Sequence, residues 1–125
     1  MIICDDDLIE KVIGSAIEVH RELGPGLLES VYEQAMMVKL ANQEIAARHQ
    51  VAVPASYKGH DLKLSFRADI IVEESLILEL KACSALEPIH LAQMITYQRL
   101  LKFKRGLLIN FNCKLLKDGI KRVSI

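Results

Sequence analysis

The stretch RADIIVEESLILELK, residues 67–81, contains the pattern that decides the fold of this chain. It consists of two apolar runs separated by the polar residues Glu73, Glu74 and Ser75. Short apolar runs rich in Ile, Val and Leu, interrupted by a few polar residues, are typical of two β-strands joined by a turn. The stretch therefore predicts a β-hairpin.

The side chains also predict which residues of the hairpin lie opposite each other. Before the turn, alternate positions are apolar: Leu62, Leu64, Phe66, Ala68, Ile70 and Val72. After it, the alternating apolar set is Leu76, Leu78, Leu80 and Ala82. Both sets can lie on one side of a sheet only if the turn contains an odd number of residues. A three-residue turn pairs Val72 with Leu76, and it therefore places Asp69 opposite Glu79.

This register brings two carboxylates together, with Lys81 further along the same face. Directly opposed residues have Cβ atoms roughly 4.5–5.5 Å apart, so the two acids repel, raise one pKa or hold a cation. Oxygen ligands suit a hard cation such as Mg²⁺, which polarises a phosphate and lowers the pKa of bound water. A lysine then orients that water or stabilises developing negative charge. The alternative is a solvated hairpin face on which Lys81 neutralises the acids.

The remaining sequence predicts one α/β domain over residues 1–125. Apolar residues at helical spacing predict a first helix that ends at residues 24–26, Gly-Pro-Gly, and a second helix follows. Residues 45–57 predict a strand before the turn at residues 58–61, which makes the first three strands a meander. A third helix is expected from Pro88 to about Lys102. Residues 107–111 predict an interior strand and residues 120–125 an edge strand.

Two motifs resemble a known group of nucleases. Asp69, Glu79 and Lys81 on adjacent strands, followed by a helix, resemble the PD-(D/E)XK nuclease superfamily. The segment GLLESVY, residues 26–32, resembles the signature of the GxxExxY family within it, and VPASYKG, HLAQMITYQ and GLLINFN follow in that family's order. Two positions depart from the family pattern. No Pro precedes Asp69, and Gln98 stands where the family tends to carry an apolar residue.

The resemblance implies a fold, a reaction and a set of site residues. The fold is a central mixed sheet flanked by helices, with a restriction-endonuclease-like core. The reaction is hydrolysis of a nucleic-acid phosphodiester, with Mg²⁺ or Mn²⁺ as cofactor. Asp69, Glu79 and the Leu80 carbonyl would hold the metal, and Lys81 would position the nucleophile. The remaining implied site residues are Glu29, as a further metal ligand, and Gln93, which would contact substrate or the attacking water.

Several of these residues have a structural alternative. Glu29 lies in the first turn of the second helix, where a carboxylate favours the positive end of the helix dipole. Gln93 and Tyr97 share a helix face, and Gln93 can instead cap a backbone group. Tyr32, three residues after Glu29, can hold that carboxylate or pack in the core. Two acids of the first helix are alternative ligands to Glu29: Glu18 and Glu22.

The net charge is zero, but the charges are unevenly distributed. Residues 1–47 carry a net charge of −6, whereas residues 99–125 contain eight bases and one acid. Bases in such a cluster contact phosphates, and the binding is then strongly salt-dependent. The predicted nucleic-acid contacts are Arg99, Lys102, Lys104 and Arg105. The alternative is that the C-terminal bases are solvated, or meet the acidic N-terminal helices of the same or another subunit.

Composition excludes several classes of protein. With 51% hydrophobic and 26% charged residues, the 125-residue chain can bury one core. It has no apolar run of about 18 residues, and its acidic start lacks a signal-peptide layout, so a cytoplasmic location without a membrane partner is expected. Three scattered cysteines disfavour a disulfide framework or zinc cluster. No histidine pair has zinc-ligand spacing, and His20 falls on the apolar stripe of its helix.

The expected partner is nucleic acid, DNA in preference to RNA, and a homodimer is left open. Two other functions remain open as well. The chain can be a nucleic-acid-binding or protein-interaction module that keeps the nuclease fold with little turnover. It can also be mainly a subunit whose acidic helices dock on a basic surface.

Overall fold

Three helices flank one five-stranded mixed sheet in the computed structural model, which describes residues 1–125. The elements are α1 (Asp6–Leu23), α2 (Glu29–Asn42), β1 (Ala47–Tyr57), β2 (His60–Val72), β3 (Leu76–Lys81), α3 (Pro88–Leu101), β4 (Arg105–Asn110) and β5 (Ile120–Ser124), with a 3-10 helix at Leu116–Gly119 before β5. The strand order is β1-β2-β3-β4-β5, and only β3 and β4 are parallel. The predicted α/β architecture is confirmed. None of the helices combines the length and apolar content that a membrane crossing needs.

The helix ends follow from local sequence. Asp5 caps α1, because its carboxylate accepts a hydrogen bond from the Leu8 N–H at 2.8 Å. Gly24, with a φ of 73°, ends that helix and donates its N–H to the His20 carbonyl. Pro88 opens α3, and Lys102 in a left-handed conformation follows its last turn. The predicted boundaries of these helices are confirmed.

The hairpin has the predicted register. Val72 pairs with Leu76, and the turn between them contains three residues. Glu73 and Glu74 in that turn have φ values of 49° and 50°, and the Glu73 N–H donates to the Ala46 carbonyl at 2.8 Å. Because β4 lies between β3 and β5, its residues 106–110 are buried, as predicted for an interior strand.

The core lies in two layers, one on each face of the sheet. The larger cluster packs α1 and α2 against one face and includes Ile70, Val72 and Leu78. The smaller cluster packs α3 against the other face and includes Ala68 and Ile71. The strict alternation predicted for β2 is therefore wrong between Ala68 and Ile70. At Asp69 the side chains of β2 change from one face of the sheet to the other. The β1–β2 pairing skips Gln50 and Asp69 at this point, and Gln50 has a φ of 51°.

The outer half of β2 extends beyond the rest of the sheet. β2 pairs with β3 only from Ile70 to Val72, whereas its pairing with β1 continues to His60. Residues 54–67, here called the β1–β2 ribbon, are therefore two-stranded, and every residue from 56 to 67 is exposed. Pro54 marks a register shift, as is usual on an edge strand.

Candidate metal and nuclease site

Asp69 and Glu79 lie where the pairing of β2 with β3 ends. The last paired residues are Ile70 and Leu78, and the two acids are next on their strands. The Leu80 N–H donates to Asp69 Oδ2 at 2.8 Å, so the side chain of Asp69 bridges the strands where backbone pairing stops. Glu79 is only 4% exposed, although its side chain is ionisable. The structure therefore brings together the two carboxylates that the register predicted.

The Glu79 carboxyl group is in an unfavourable place for a charge. Its Oε1 atom is buried without a hydrogen-bond partner. Burial, a hydrogen bond with Asp69 and the charge of Asp69 together raise the pKa of Glu79 from 4.5 to about 9, while the charge of Lys81 opposes them. Glu79 therefore carries a proton at neutral pH unless a cation takes the proton's place.

Lys81 is half-buried at the end of β3, opposite Asn110 of β4. The six ion pairs of the molecule do not include it. Its charge acts on Glu79 without a direct contact of ion-pair length. Lys81 thus partly offsets the charge of the acids without a salt bridge, and its ammonium group can contact a phosphate or a water.

An acidic pocket opens between the Asp69 region and α2. Its volume is about 440 Å³, and it is lined by Glu29, Ser30, Glu33, Gln50, Asp69 and Leu80. Glu33 is buried and accepts a hydrogen bond from Gln50 Nε2 at 2.6 Å. The sequence reasoning missed Glu33, although it follows Glu29 by four residues and so shares its helix face. The pocket thus collects three carboxylates from two distant segments.

Glu29 is positioned by its contacts with β3 and by the loop before α2. Its Oε2 accepts a hydrogen bond from the Ala82 N–H at 3.3 Å, directly after Lys81. Tyr32 anchors the loop, since its hydroxyl donates to the Gly24 carbonyl at 2.6 Å and accepts from the Leu27 N–H at 3.2 Å. Tyr32 is fully buried and stacks on Phe111 with 4.4 Å between ring centroids. It supports the site by packing in the core, not by holding Glu29.

Comparison with known proteins identifies the fold. A model described as the PD-(D/E)XK nuclease superfamily matches residues 6–123, which is nearly the whole chain. The chain belongs to the PD-(D/E)XK nuclease superfamily. The match covers α1 through β5 and so includes Asp69, Glu79 and Lys81. Searches among curated proteins and among solved structures gave no match.

In this PD-(D/E)XK domain, the segment after Lys81 is fixed by a residue that the sequence reasoning missed. Asn110 is buried, donates from Nδ2 to the Cys83 carbonyl at 2.9 Å, and accepts from the Cys83 N–H at 3.1 Å. A polar residue at the end of an apolar strand was the available signal. Together with Glu29, Asn110 holds the backbone that leaves β3, and this limits the freedom of Lys81.

Helix α3 brings Tyr97, and not Gln93, into contact with the core near the acids. Tyr97 is buried, and its ring lies 5.3 Å from that of Phe66. Burial, together with the charges of Glu79 and Asp69, raises the pKa of Tyr97. Gln93 is exposed one turn earlier. Gln98, the departure from the family pattern, is buried and donates to the carbonyls of Lys104 and Val123, so its side chain has a structural role.

Arg105, one of the four bases predicted to contact nucleic acid, lies away from the acids. Arg105 pairs with Leu76, whereas Lys81 pairs with Asn110, so Arg105 and the acids lie at opposite ends of β3. Arg105 also forms an ion pair with Asp6 at 3.0 Å, and Arg122 forms one with Glu10 at 2.6 Å. The remaining bases predicted to contact nucleic acid are exposed: Arg99, Lys102 and Lys104. Their contact with nucleic acid stays a prediction.

The alternative ligands on α1 are far from the acid pair. Glu18 forms an ion pair with Lys39 of α2. Glu22 lines the groove between α1 and α2, a different cavity from the one that contains Asp69. The structure therefore leaves Glu29 and Glu33 as the carboxylates nearest to Asp69 on the helical side.

The donor set fits a hard cation better than a zinc ion. No group of three His, Cys, Asp or Glu side chains is arranged as a cage. Mg²⁺ is nevertheless usually bound by only one or two carboxylates, and it keeps several waters. The partnerless Glu79 Oε1, the adjacent Asp69 carboxylate and the backbone of Leu80 supply oxygen ligands of that kind. The three free cysteines are scattered and supply no sulfur ligand set.

Proposed function

We propose that this chain is a Mg²⁺- or Mn²⁺-dependent nuclease of the GxxExxY family, which hydrolyses phosphodiester bonds in nucleic acid, DNA in preference to RNA. The observation that supports this most is the Glu79 carboxyl group, which is buried next to Asp69 and whose Oε1 atom has no hydrogen-bond partner. A buried carboxyl group without a partner is costly, and it is retained where a ligand or a reaction needs it.

Each residue has a distinct part in the proposed reaction. When bound, the cation lowers the pKa of a water molecule and neutralises charge on the phosphate. Asp69 would hold the cation through the oxygen that does not accept the Leu80 N–H. Glu79 would hold it through Oε1 once its proton has passed to solvent. Lys81, which has no ion-pair partner, orients the attacking water or contacts the negative charge that develops on the phosphate.

Residues around this centre complete the proposal. Glu29 adds a carboxylate on the α2 side and holds the Ala82 N–H, which fixes the backbone next to Lys81. Gln93, whose amide is exposed on α3, would contact substrate or the attacking water. Tyr32 and Tyr97 support the site through the loop before α2 and through the packing of α3.

Cleavage assays with matched variants test the proposal. Purified protein is incubated with labelled DNA or RNA and Mn²⁺, and Glu79→Ala and Lys81→Ala are compared with Glu22→Gln, which removes an exposed carboxylate from the distant α1–α2 groove. We expect rate losses of about 10²-fold or more in the first two variants, the usual effect of removing a group that stabilises transition-state charge. The control variant should cleave at the wild-type rate.

Metal binding is measured separately by calorimetry. We expect Mn²⁺ binding by the wild type that Asp69→Asn weakens and Glu22→Gln does not. Absence of both metal binding and Mn²⁺-dependent cleavage would contradict the proposal. Cleavage that survives Glu79→Ala would point to a contaminating enzyme or to a different site.

Two observations favour the second candidate, a binding module with little turnover. No three side chains form a metal cage, and Glu79 is protonated at neutral pH without a cation. Nucleic-acid binding that persists in chelator and is unaffected by Asp69→Asn, without cleavage in Mn²⁺, would select this function over the nuclease.

A further inference from the structure

The β1–β2 ribbon begins at the candidate site and extends away from it. Asp69 lies at its base. β2 pairs with β3 only from Ile70 onward, whereas the part of β2 before Asp69 pairs with β1 alone. From Phe66 to His60 the strand spans about 20 Å at its usual rise per residue. Every residue from 56 to 67 is exposed, although the Phe66 ring at the base of the ribbon packs against Tyr97 of α3. The ribbon is thus an arm attached at the acid pair.

The arm carries positive charge on a molecule whose site is acidic. Its bases are Lys58, Lys63 and Arg67, and its single acid is Asp61. Lys63 lies 3.8 Å from Asp61 with both side chains largely exposed, an ion pair too weak to neutralise the lysine. Arg67 donates only to the Gln50 carbonyl, at 3.0 Å. The charges of the arm therefore remain available to an anionic partner.

The ribbon also exposes apolar side chains. Tyr57 is 60% exposed and Leu64 is 71% exposed. Large apolar side chains contribute nothing to the core from such positions, and they are expected where a partner covers them. A partner that matches this surface has negative charge along its backbone and apolar groups within reach of a narrow projecting element.

We propose that the β1–β2 ribbon lies in the major groove of duplex DNA and holds the duplex beside the Asp69–Glu79 pair. This inference rests on the proposed nuclease function for the site. The major groove of B-DNA, about 12 Å wide, admits a two-stranded β-ribbon and exposes thymine methyl groups to apolar side chains. Lys58, Lys63 and Arg67 contact phosphates on its rims.

Other nucleic acids fit this arm less well. The major groove of duplex RNA is deep and narrow, so side chains on a ribbon do not reach its bases. Single strands are usually held by aromatic rings on which bases stack. The ribbon carries two Phe or Tyr rings, Tyr57 and Phe66, and the Phe66 ring packs against Tyr97. One exposed ring does not form a platform on which successive bases stack.

Three charge-matched double variants of the full chain test the proposal. The ribbon variant is Lys58→Asn/Lys63→Asn, because both lysines have a φ between 49° and 59° and Asn tolerates that conformation. The comparison variant at the C-terminal bases is Lys102→Asn/Lys104→Gln. The control is Lys11→Gln/Arg21→Gln on the exposed surface of α1. Each variant removes two positive charges.

Binding is measured by fluorescence anisotropy with a labelled duplex of about 20 base pairs, two helical turns, in chelator so that no cleavage occurs. We expect the ribbon variant to lose roughly tenfold or more in affinity near 100 mM salt, and its salt slope to fall by about 2, because two phosphate contacts are lost. The α1 control should bind within twofold of the wild type. Single-stranded DNA and duplex RNA should bind more weakly than duplex DNA.

Three results would overturn the proposal. The first is duplex affinity of the ribbon variant within twofold of the wild type. The second is a larger loss of affinity in the Lys102/Lys104 variant. The third is a dimer, detected by light scattering, that Leu64→Ser dissociates without any change in duplex binding, since the ribbon would then serve a second copy of the chain. A Lys58→Arg/Lys63→Arg variant that restores affinity, with an unchanged unfolding midpoint, excludes misfolding as the cause of a loss.

Failure of the ribbon proposal and failure of the nuclease proposal give different results. If the ribbon variant cleaves DNA at the wild-type rate, the ribbon proposal is wrong and the nuclease proposal stands. If duplex binding depends on the ribbon but no Mn²⁺-dependent cleavage occurs, the ribbon proposal stands and the nuclease proposal is wrong.

Discussion

The two halves of β2 are parts of one strand in opposite environments. From Ala68 to Val72 every residue except Asp69 is buried, and the strand pairs with neighbours on both sides for most of that length. From His60 to Arg67 every residue is exposed, and the strand pairs with β1 alone. Asp69 lies between the halves, at the point where the faces of the strand exchange. The inner half contributes stability, whereas the outer half contributes a surface.

This difference explains why the candidate site lies where it does. A carboxylate in the middle of the inner half would be desolvated on all sides, and one in the outer half would be fully hydrated. At the boundary, Asp69 is partly exposed and accepts the Leu80 N–H, while Glu79 on β3 is buried. The boundary thus gives two adjacent acids of unequal burial, and burial raises the pKa of Glu79, which is the arrangement that a cation or a shared proton stabilises.

The largest expected effect on stability comes from the inner half. Ile71→Ala removes a fully buried side chain from the cluster beneath α3, and we expect a loss of about 2–5 kcal/mol in the free energy of unfolding. Urea unfolding followed by circular dichroism measures it. A loss below about 1 kcal/mol would mean that the inner half is not the stable part of the strand.

Glu79→Gln tests the electrostatics of the boundary. Because the folded-state pKa of Glu79 is raised from 4.5 to about 9, the folded wild type binds more protons than the unfolded chain between those pH values. Wild-type stability should therefore fall as the pH rises through this window. The variant lacks this ionisation, so we expect similar stabilities near pH 4.5 and an advantage of about 1–3 kcal/mol for the variant at pH 9 in chelator. If the stabilities of the wild type and the variant change with pH in parallel, the pKa of Glu79 is not raised in the folded protein.

Tyr32→Phe tests how the opposite wall of the pocket is held. The change keeps the ring on Phe111 but removes the hydroxyl that donates to the Gly24 carbonyl and accepts from the Leu27 N–H. We expect a loss of about 1–2 kcal/mol, the usual cost of a buried hydrogen bond, with faster amide exchange at Leu27. An unchanged exchange rate there would contradict the anchoring role of Tyr32.

The smallest expected effect comes from the outer half. Leu64 is 71% exposed, so Leu64→Ser should change the free energy of unfolding by no more than about 0.5 kcal/mol. The same urea titration used for Ile71→Ala measures it. A loss comparable to that of Ile71→Ala would show that something covers the ribbon in the isolated protein.

Local sequence was sufficient to predict the helices and strands and the pairing of β2 with β3. The apolar residues on both sides of the Glu73–Ser75 turn admit only an odd turn length, and the observed pairing of Val72 with Leu76 agrees. Gly24 and Pro88 mark helix ends because their backbone preferences act within a few residues. The adjacency of Asp69 and Glu79 follows from the same short-range geometry.

Sequence reasoning was less successful where distant segments meet. It assigned Ala68 to the face of Ile70, because the left-handed Gln50 that interrupts the pairing is some twenty residues away on another strand. It missed Glu33 and Asn110, whose partners on β1 and after β3 are unrelated to them in sequence. It named Arg105 as a nucleic-acid contact, whereas the pairing of Arg105 with Asp6 agrees with its alternative that C-terminal bases meet the acidic N-terminal helices.

The sequence by itself determined the strands, the three-residue turn and the acid pair, since these depend on alternation and turn geometry over about a dozen residues. Only the tertiary structure decided that Glu79 is buried with a partnerless oxygen, that Lys81 has no ion pair, and that residues 54–67 project from the sheet. Burial and pairing depend on which elements pack together. That choice is made by the sum of many weak long-range contacts, which no single segment encodes.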